Sequence, residues 1–299
     1  MQTHGLVISV LWAALMSGCS PKPAAPNNSG AADVRIYNVR GIVRGVDAAA
    51  LSLIVEHEDV PGFMPAMTMP FVVRDPAELS VARIGEGIGF RFFVTEDRSW
   101  IANLQPMASG DIRLPSATPG VAPAGGRRLK EGDRVPDFQL IDLRGQPLTQ
   151  QHLAGRVTLI TFIFTRCPVP EFCPLLSRQF GVIEQQIADD PALAGRVGLL
   201  SISFDPQDTP ELLGDYAARF VRDPAVWRFA TGNPAEISKL THAFSVHVKP
   251  EGGTLNHGLC TALVDARGVV VKLWRGNGWK PDEVLEALRV LPPSPEAGS

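Results

Sequence analysis

The sequence predicts two domains of different class, a small all-β barrel followed by an α/β sheet. Three observations carry that prediction. Between residues 35 and 107, short β-branched and aromatic runs are separated by turns holding Asp, Gly, Pro and Ala, with no long helical period between them. Beyond residue 127, apolar strand-like runs alternate with stretches of helical period. Between the two lies ASGDIRLPSATPGVAPAGG, residues 108–126, whose Pro, Gly, Ala and Ser content marks a linker.

Length and composition agree with this division. A chain of 299 residues that is 45% hydrophobic and 20% charged can bury two cores. A formal net charge of -3, with no cluster of Lys and Arg interleaved with aromatics, argues against a nucleic-acid partner.

The chain opens with an apolar run from Gly5 to Met16 that is too short to span a bilayer and then breaks into small residues before Cys19. Residues 1–19 read as a signal peptide. Leu15-Met16-Ser17-Gly18-Cys19 resembles the lipobox of bacterial lipoproteins, which implies a lipidated Cys19, a periplasmic location and membrane attachment by the lipid alone; the segment before it carries His4 but no Lys or Arg. Residues 20–34 have the composition of a flexible tether. Export to an oxidising space leaves Cys167, Cys173 and Cys260 to be explained as disulfide, metal or redox groups.

In the first domain, RIYNVRGIVRGV, LSLIVEH, AMTMPFVV, GIGFRFFV and SWIANL read as five strands, a number and spacing that suit an OB-like barrel. The third of these, with the turn before it, reads FMPAMTMPF and holds three of the chain's six methionines. On a strand, Met67 and Met69 share a face, Met64 approaches from the bend, and the short connection EDVPGFMPA returns the chain so that His57 meets the thioethers. Thioether sulfur with one imidazole is a soft donor set that suits Cu(I); no carboxylate set for Ca or Mg and no thiolate for structural zinc accompanies it. The plainer reading makes these methionines barrel core. The stretch EHEDVPGFMPAMTMPF resembles the CusF-like family of periplasmic copper-binding proteins, which implies His57, Met67 and Met69 as ligands. Met64 stands where some members place a capping Trp, as a third sulfur or as a lid.

In the second domain, FQLID, VTLITFIF, VGLLSISF, WRFAT, LCTALVD and VVVKLW are strand candidates, and 174–188, 210–221, 234–244 and 281–290 are helix candidates. Asp208 or Thr209 is positioned to cap the helix beginning at Pro210. Cys167 and Cys173, in FTRCPVPEFCPLL, lie between an apolar strand and a helix starting near Pro174, the thioredoxin-like placement. Pro174 puts Cys173 at the helix N-terminus, where the dipole favours its thiolate. Pro168 and Pro170 forbid a regular helix between the cysteines, so the connection loops and the sulfurs converge as a disulfide or a metal clamp.

Residues 127–293 resemble the Sco/SenC family of copper chaperones. GDRVPDF at 132–138, DPQDTP at 205–210, and Trp227 leading a strand into a TG turn carry the resemblance. It implies a thioredoxin-like fold and Cu(I) held by Cys167, Cys173 and His257. It also implies partners, the copper subunit of cytochrome c oxidase and a thiol reductase. The family separates its cysteines by three residues, whereas five intervene here. Cys260, three after His257, falls on the opposite face of a regular strand and reads as buried core, with a resolving or extra metal thiol as the other option. His152, His242 and His247 have no partner pattern and read as ordinary.

The leading function is a membrane-anchored Cu(I) chaperone with a Met/His acceptor domain and a Cys/His delivery domain. The enzymatic alternative is a thiol–disulfide oxidoreductase using Cys167 and Cys173, against which stand the lost Cys-x-x-Cys spacing and the absence of a PxxxTxxC peroxidase context. A copper buffering or resistance module is the third.

Overall fold

The computed structural model describes residues 33–114, 127–251 and 254–291. Cys19 with its preceding segment, and most of the linker, lie outside the described residues.

Strands β1 (Arg35–Asp47), β2 (Ser52–His57), β3 (Met67–Val72), β4 (Gly87–Val94) and β5 (Ser99–Met107) form one antiparallel sheet in the order β3-β2-β1-β4-β5. All five expected strands are present. The edge strands approach each other, but a single parallel bridge, Val73 to Ile101, with Arg74 N–H donating to the Ile101 carbonyl at 3.0 Å, is all that joins them. The sheet is therefore a partly open relative of the expected barrel, without a complete ladder between its edges. Alternation sets the inner face: Leu53, Val55 and His57 on β2 and Met67, Met69 and Phe71 on β3 are buried. Phe71 packs edge-on against Phe90 and Phe92, each ring centroid 5.0 Å away.

The second body is a seven-stranded sheet in the order β14-β13-β8-β9-β10-β6-β7. Its elements are β6 (Gln139–Asp142), β7 (Pro147–Thr149), β8 (Val157–Ile163), α1 (Cys173–Asp189), β9 (Val197–Ser203), α2 (Pro210–Ala217), β10 (Trp227–Thr231), α3 (Pro234–Ala243), β11 (Val248–Glu251), β12 (Thr254–His257), β13 (Cys260–Val264), β14 (Val270–Arg275) and α4 (Pro281–Arg289). Strands β8, β9 and β10 are parallel, and every residue of β8 and β9 is buried, as a central strand covered on both faces requires. A thioredoxin-like α/β arrangement results. Two small pieces escape sequence reading. β7 is three residues long, and the β11–β12 hairpin pairs a strand that contains Pro250, a residue that sequence rules place outside strand interiors. Among the described residues, no helix is long and apolar enough to cross a membrane.

Buried polar bonds lock the floor beneath the cysteine loop. Thr209 caps α2, its side chain accepting from Leu212 N–H, which leaves Asp208 for another task. The buried Asp208 carboxylate accepts from Thr165 N–H at 2.9 Å, Thr165 Oγ1–H at 2.5 Å and Ser203 Oγ–H at 2.6 Å, tying the ends of β8 and β9 together two residues before Cys167. Asp208→Ala strands three donors in a dry site. It is expected to lower the stability of this body by about 3 kcal/mol in urea unfolding followed by tryptophan fluorescence. A loss under ~1 kcal/mol would show that the carboxylate does not hold the floor.

Candidate metal centres

The first centre forms where β8 gives way to α1. Pro168 and Pro170 keep the connection irregular, and α1 begins at Cys173 with Pro174 in its first turn. The sulfurs of Cys167 and Cys173 and a ring nitrogen of His257, at the end of β12, all lie within 4.8 Å of one another. Among the described residues this is the cluster of Cys, His and acidic groups close enough to clamp one ion, and it contains no carboxylate. Nδ1 of His257 lies 3.0 Å from the carbonyl of Gly258; a carbonyl only accepts, so Nδ1 carries the proton and the lone pair sits on Nε2. Phe164, Phe204 and Phe172 surround the imidazole with ring centroids 5.3, 4.7 and 6.4 Å away. The set is two sulfurs and one imidazole in an apolar wall, which suits a soft monovalent ion.

The sequence places the helix-stabilised thiolate on Cys173, whereas the surroundings in the fold favour the charged form at Cys167. Burial alone pushes the Cys167 thiol up, but the Cys173 thiol donating to it, His257 beside it and the Cys173 backbone N–H together bring it down to about 5. Cys173, fully buried and facing that thiolate, is raised well above the usual thiol range. The Cys173 backbone N–H favours the charged form of both sulfurs, but burial and the neighbouring Cys167 sulfur outweigh it at Cys173. Cys260 is core, raised by burial to about 11 and outside the cluster. The reason differs from the expected one: His257 ends β12 and Cys260 begins β13, so they are not on one strand.

The second centre lies on the five-stranded sheet. His57 pairs directly with Met67 across the β2–β3 ladder and Val55 with Met69, so His57, Met67 and Met69 share the buried face, as their spacing predicts. Met64 is also buried, held in a tight turn by mutual backbone bonds with Val60 at 2.7 and 3.1 Å. Nδ1 of His57 lies 2.6 Å from the Glu58 carbonyl, which again puts the lone pair on Nε2. Close approach of β1 requires Gly41, where a Cβ would stand 2.7 Å from the Cα of His57. The three methionines belong to the hydrophobic core of this sheet as well, so the core reading and the ligand reading describe the same side chains. Phe71, edge-on to His57 at 5.5 Å, is a wall that nothing in the local pattern singles out beyond its place two residues after Met69.

Sequence reading also passed over the residues between the cysteines. Val169 is buried in the core of the five-stranded sheet, and Phe172 packs against that core. Asn277, in the RGNGW segment, donates from Nδ2 to the Glu171 carbonyl at 2.6 Å. No periodicity flags a loop residue whose partner is remote in sequence.

Reactivity tests the assignment of the thiolate. In the reduced chain, iodoacetamide is expected to modify Cys167 with a half-maximal rate near pH 5, while Cys173 and Cys260 stay unmodified until the chain unfolds. Peptide mass analysis that finds Cys173 modified first would reverse the assignment.

The sequence model of the SCO1/SenC family matches residues 127–291, and that of the copper binding periplasmic protein CusF matches residues 36–106. An SCO2-like protein of Rickettsia felis is 29% identical over 163 residues, covering 51% of this chain and 74% of its own length. The SCO1 protein homolog of Bacillus subtilis is 29% identical over 173 residues, covering 55% and 87%. Among solved structures, Bradyrhizobium japonicum ScoI with copper bound is 30% identical, with a TM-score of 0.45 over 52% of this chain and 98% of that one. With the cysteine-bearing body matched along almost its whole length, the chain belongs to the SCO1/SenC family, and a sheet matching the CusF model precedes that family's domain.

Proposed function

We propose that the chain is a Cu(I) chaperone that takes copper on the Met/His sheet and delivers it through the Cys/His cluster. The observation that carries the reading is the convergence of Cys167, Cys173 and His257 within 4.8 Å, with no carboxylate in the set. Cu(I) accepts two thiolates and an imidazole in a loose trigonal arrangement, so the five-residue separation of the cysteines is no obstacle to binding. Thiolates carry charge and thioethers do not; copper therefore runs from His57, Met67 and Met69, with Met64 beside them, toward Cys167, Cys173 and His257. Family resemblance supports the binuclear copper centre of cytochrome c oxidase as the recipient and a thiol reductase as the agent that keeps the cysteines reduced. The Leu15–Cys19 pattern supports a lipid on Cys19 that anchors the chain at the periplasmic face of a membrane.

One observation favours a second reading, thiol–disulfide exchange: a Cys167 thiolate beside a protonated Cys173 is also an attacking pair. His257 separates the two, since copper uses its nitrogen and exchange needs no third ligand.

Anaerobic titration of the reduced full chain is expected to load two Cu(I). A Met67→Ile/Met69→Ile chain should load one, and a Cys167→Ser/Cys173→Ser chain one. His257→Ala should weaken the cysteine site by roughly tenfold or more while sparing thiol exchange. Mixing the loaded chain with the apo copper subunit of cytochrome c oxidase should build that subunit's binuclear copper absorption. Full thiol exchange with no second copper equivalent would establish the redox reading instead. For the anchor, Cys19→Ser should move the chain out of the membrane fraction.

A further inference from the structure

The five residues between the cysteines, Pro168 to Phe172, are held by both bodies: Asn277 of the second donates to the Glu171 carbonyl at 2.6 Å, and their side chains reach the first. Val169 is buried in the hydrophobic cluster of the five-stranded sheet, and Phe172 packs against the same cluster. The Glu171 carboxylate accepts from both donors of Ser99 at the start of β5: the backbone N–H on one oxygen and Oγ–H on the other at 2.8 Å. Arg178 on α1 closes the joint by donating to the Asp97 carbonyl at 3.2 Å and the Pro170 carbonyl at 2.9 Å.

We propose that Pro168–Phe172 is a docking insert through which the five-stranded sheet sets the geometry of the Cys167–Cys173–His257 cluster, with Val169 and Glu171 as positioning residues. The inference rests on the copper reading above and deepens it. The two ends of the insert are the two sulfur ligands, so whatever anchors the insert fixes their spacing. The insert has little internal anchorage: prolines at two of its five positions remove backbone donors, and a backbone bond from Phe172 N–H to the Val169 carbonyl at 3.1 Å closes a turn within it, so its remaining bonds come from elsewhere. The third ligand is reached as well, because Phe172 packs on the first sheet's cluster and also faces His257. A docked loop is pre-organised, and the ordering cost that a free loop would meet on binding metal is already met in the fold. The wider cysteine spacing thus has a physical use: the added length is the part that crosses to the other sheet. That sheet's cluster also contains Met64, Met67 and Met69, so the two ligand sets border one apolar joint.

The test uses the reduced full chain, with Cu(I) held in competition by a chromophoric chelator and amide exchange of residues 95–100 followed on the metal-free protein. Val169→Ala and Glu171→Ala are expected to speed exchange at 95–100 and to weaken the cysteine site by roughly tenfold, leaving the Met/His site unchanged. Ser99→Ala, in the other sheet and out of contact with any ligand, should act in the same direction, and Glu171→Gln, which keeps an acceptor for Ser99, should recover most of the affinity. Faster exchange with copper affinity within about twofold of wild type would overturn the positioning role, as would unchanged exchange in all three variants. Cys167→Ser must lose copper from the cluster with exchange at 95–100 unaltered. If the copper stays, the copper reading falls and the positioning role with it, while the exchange data still report the docking.

Discussion

The structure of the second body turns on one interaction, the pairing of the Cys167 and Cys173 sulfurs at the buried N-terminus of α1. The Cys173 thiol, His257 and the Cys173 N–H favour the charged form of the Cys167 sulfur, which lies 3.9 Å from the Val169 carbonyl. Everything nearby serves that arrangement. Strands β8 and β9, buried at every position, carry the chain to residue 163 without freedom to shift. Asp208 ties Thr165 to Ser203, and Arg166 pairs with Asp205 at 2.6 Å, so the residues on either side of the turn leading to Cys167 are bonded to the β9–α2 connection. Burial would otherwise disfavour a charged sulfur, and the donors aimed at it reverse the sign.

The two centres share a second-layer device that no spacing rule encodes. His57 and His257 each lie within hydrogen-bond distance of the carbonyl of the very next residue, Glu58 and Gly258. Each ring is thereby oriented with Nδ1 as its donor. The two histidines differ in their walls. His257 stands among three phenylalanines at a loop, half exposed, whereas His57 is fully buried among methionines and Phe71. The cysteine cluster has two partly buried members beside the fully buried Cys173, whereas His57, Met67 and Met69 are all buried.

What the sequence made legible follows from how local each signal is. Both strand sets, the four helices, the Thr209 cap and the shared face of Met67 and Met69 rest on alternation, helical period and capping chemistry within a few residues. The Cys/His cluster was legible through its residue types and its family resemblance. The ownership of the thiolate was not, because a helix N-terminus aims its N–H groups at whichever sulfur the loop brings over them, and that depends on the fold of residues 168–172. Nor was the pairing of Glu171 with Ser99, 72 residues apart and in different sheets. How far the barrel closes was not legible for a related reason: five strands can be counted along the chain, but the contact near β3 and β5 is a tertiary event, one bridge among the described residues.

A tether and a joint make different demands on a molecule that moves an ion between two sites. A flexible tether acting alone would raise one site's concentration around the other to the order of millimolar and leave orientation to chance. The packing of Val169 and Phe172 into the first sheet's core, with Glu171 fastened to Ser99, sets orientation instead. Orientation matters most for soft ligands. A thioether site would hold its ion without charge and a thiolate site with charge; on the proposed reading that difference sets the direction of flow, and the fold adds the path. Placing the thiolate loop itself in the joint makes the stronger site depend on contact with the sheet that carries the weaker one, which is why the length between the cysteines and the presence of an N-terminal sheet belong to a single structural solution.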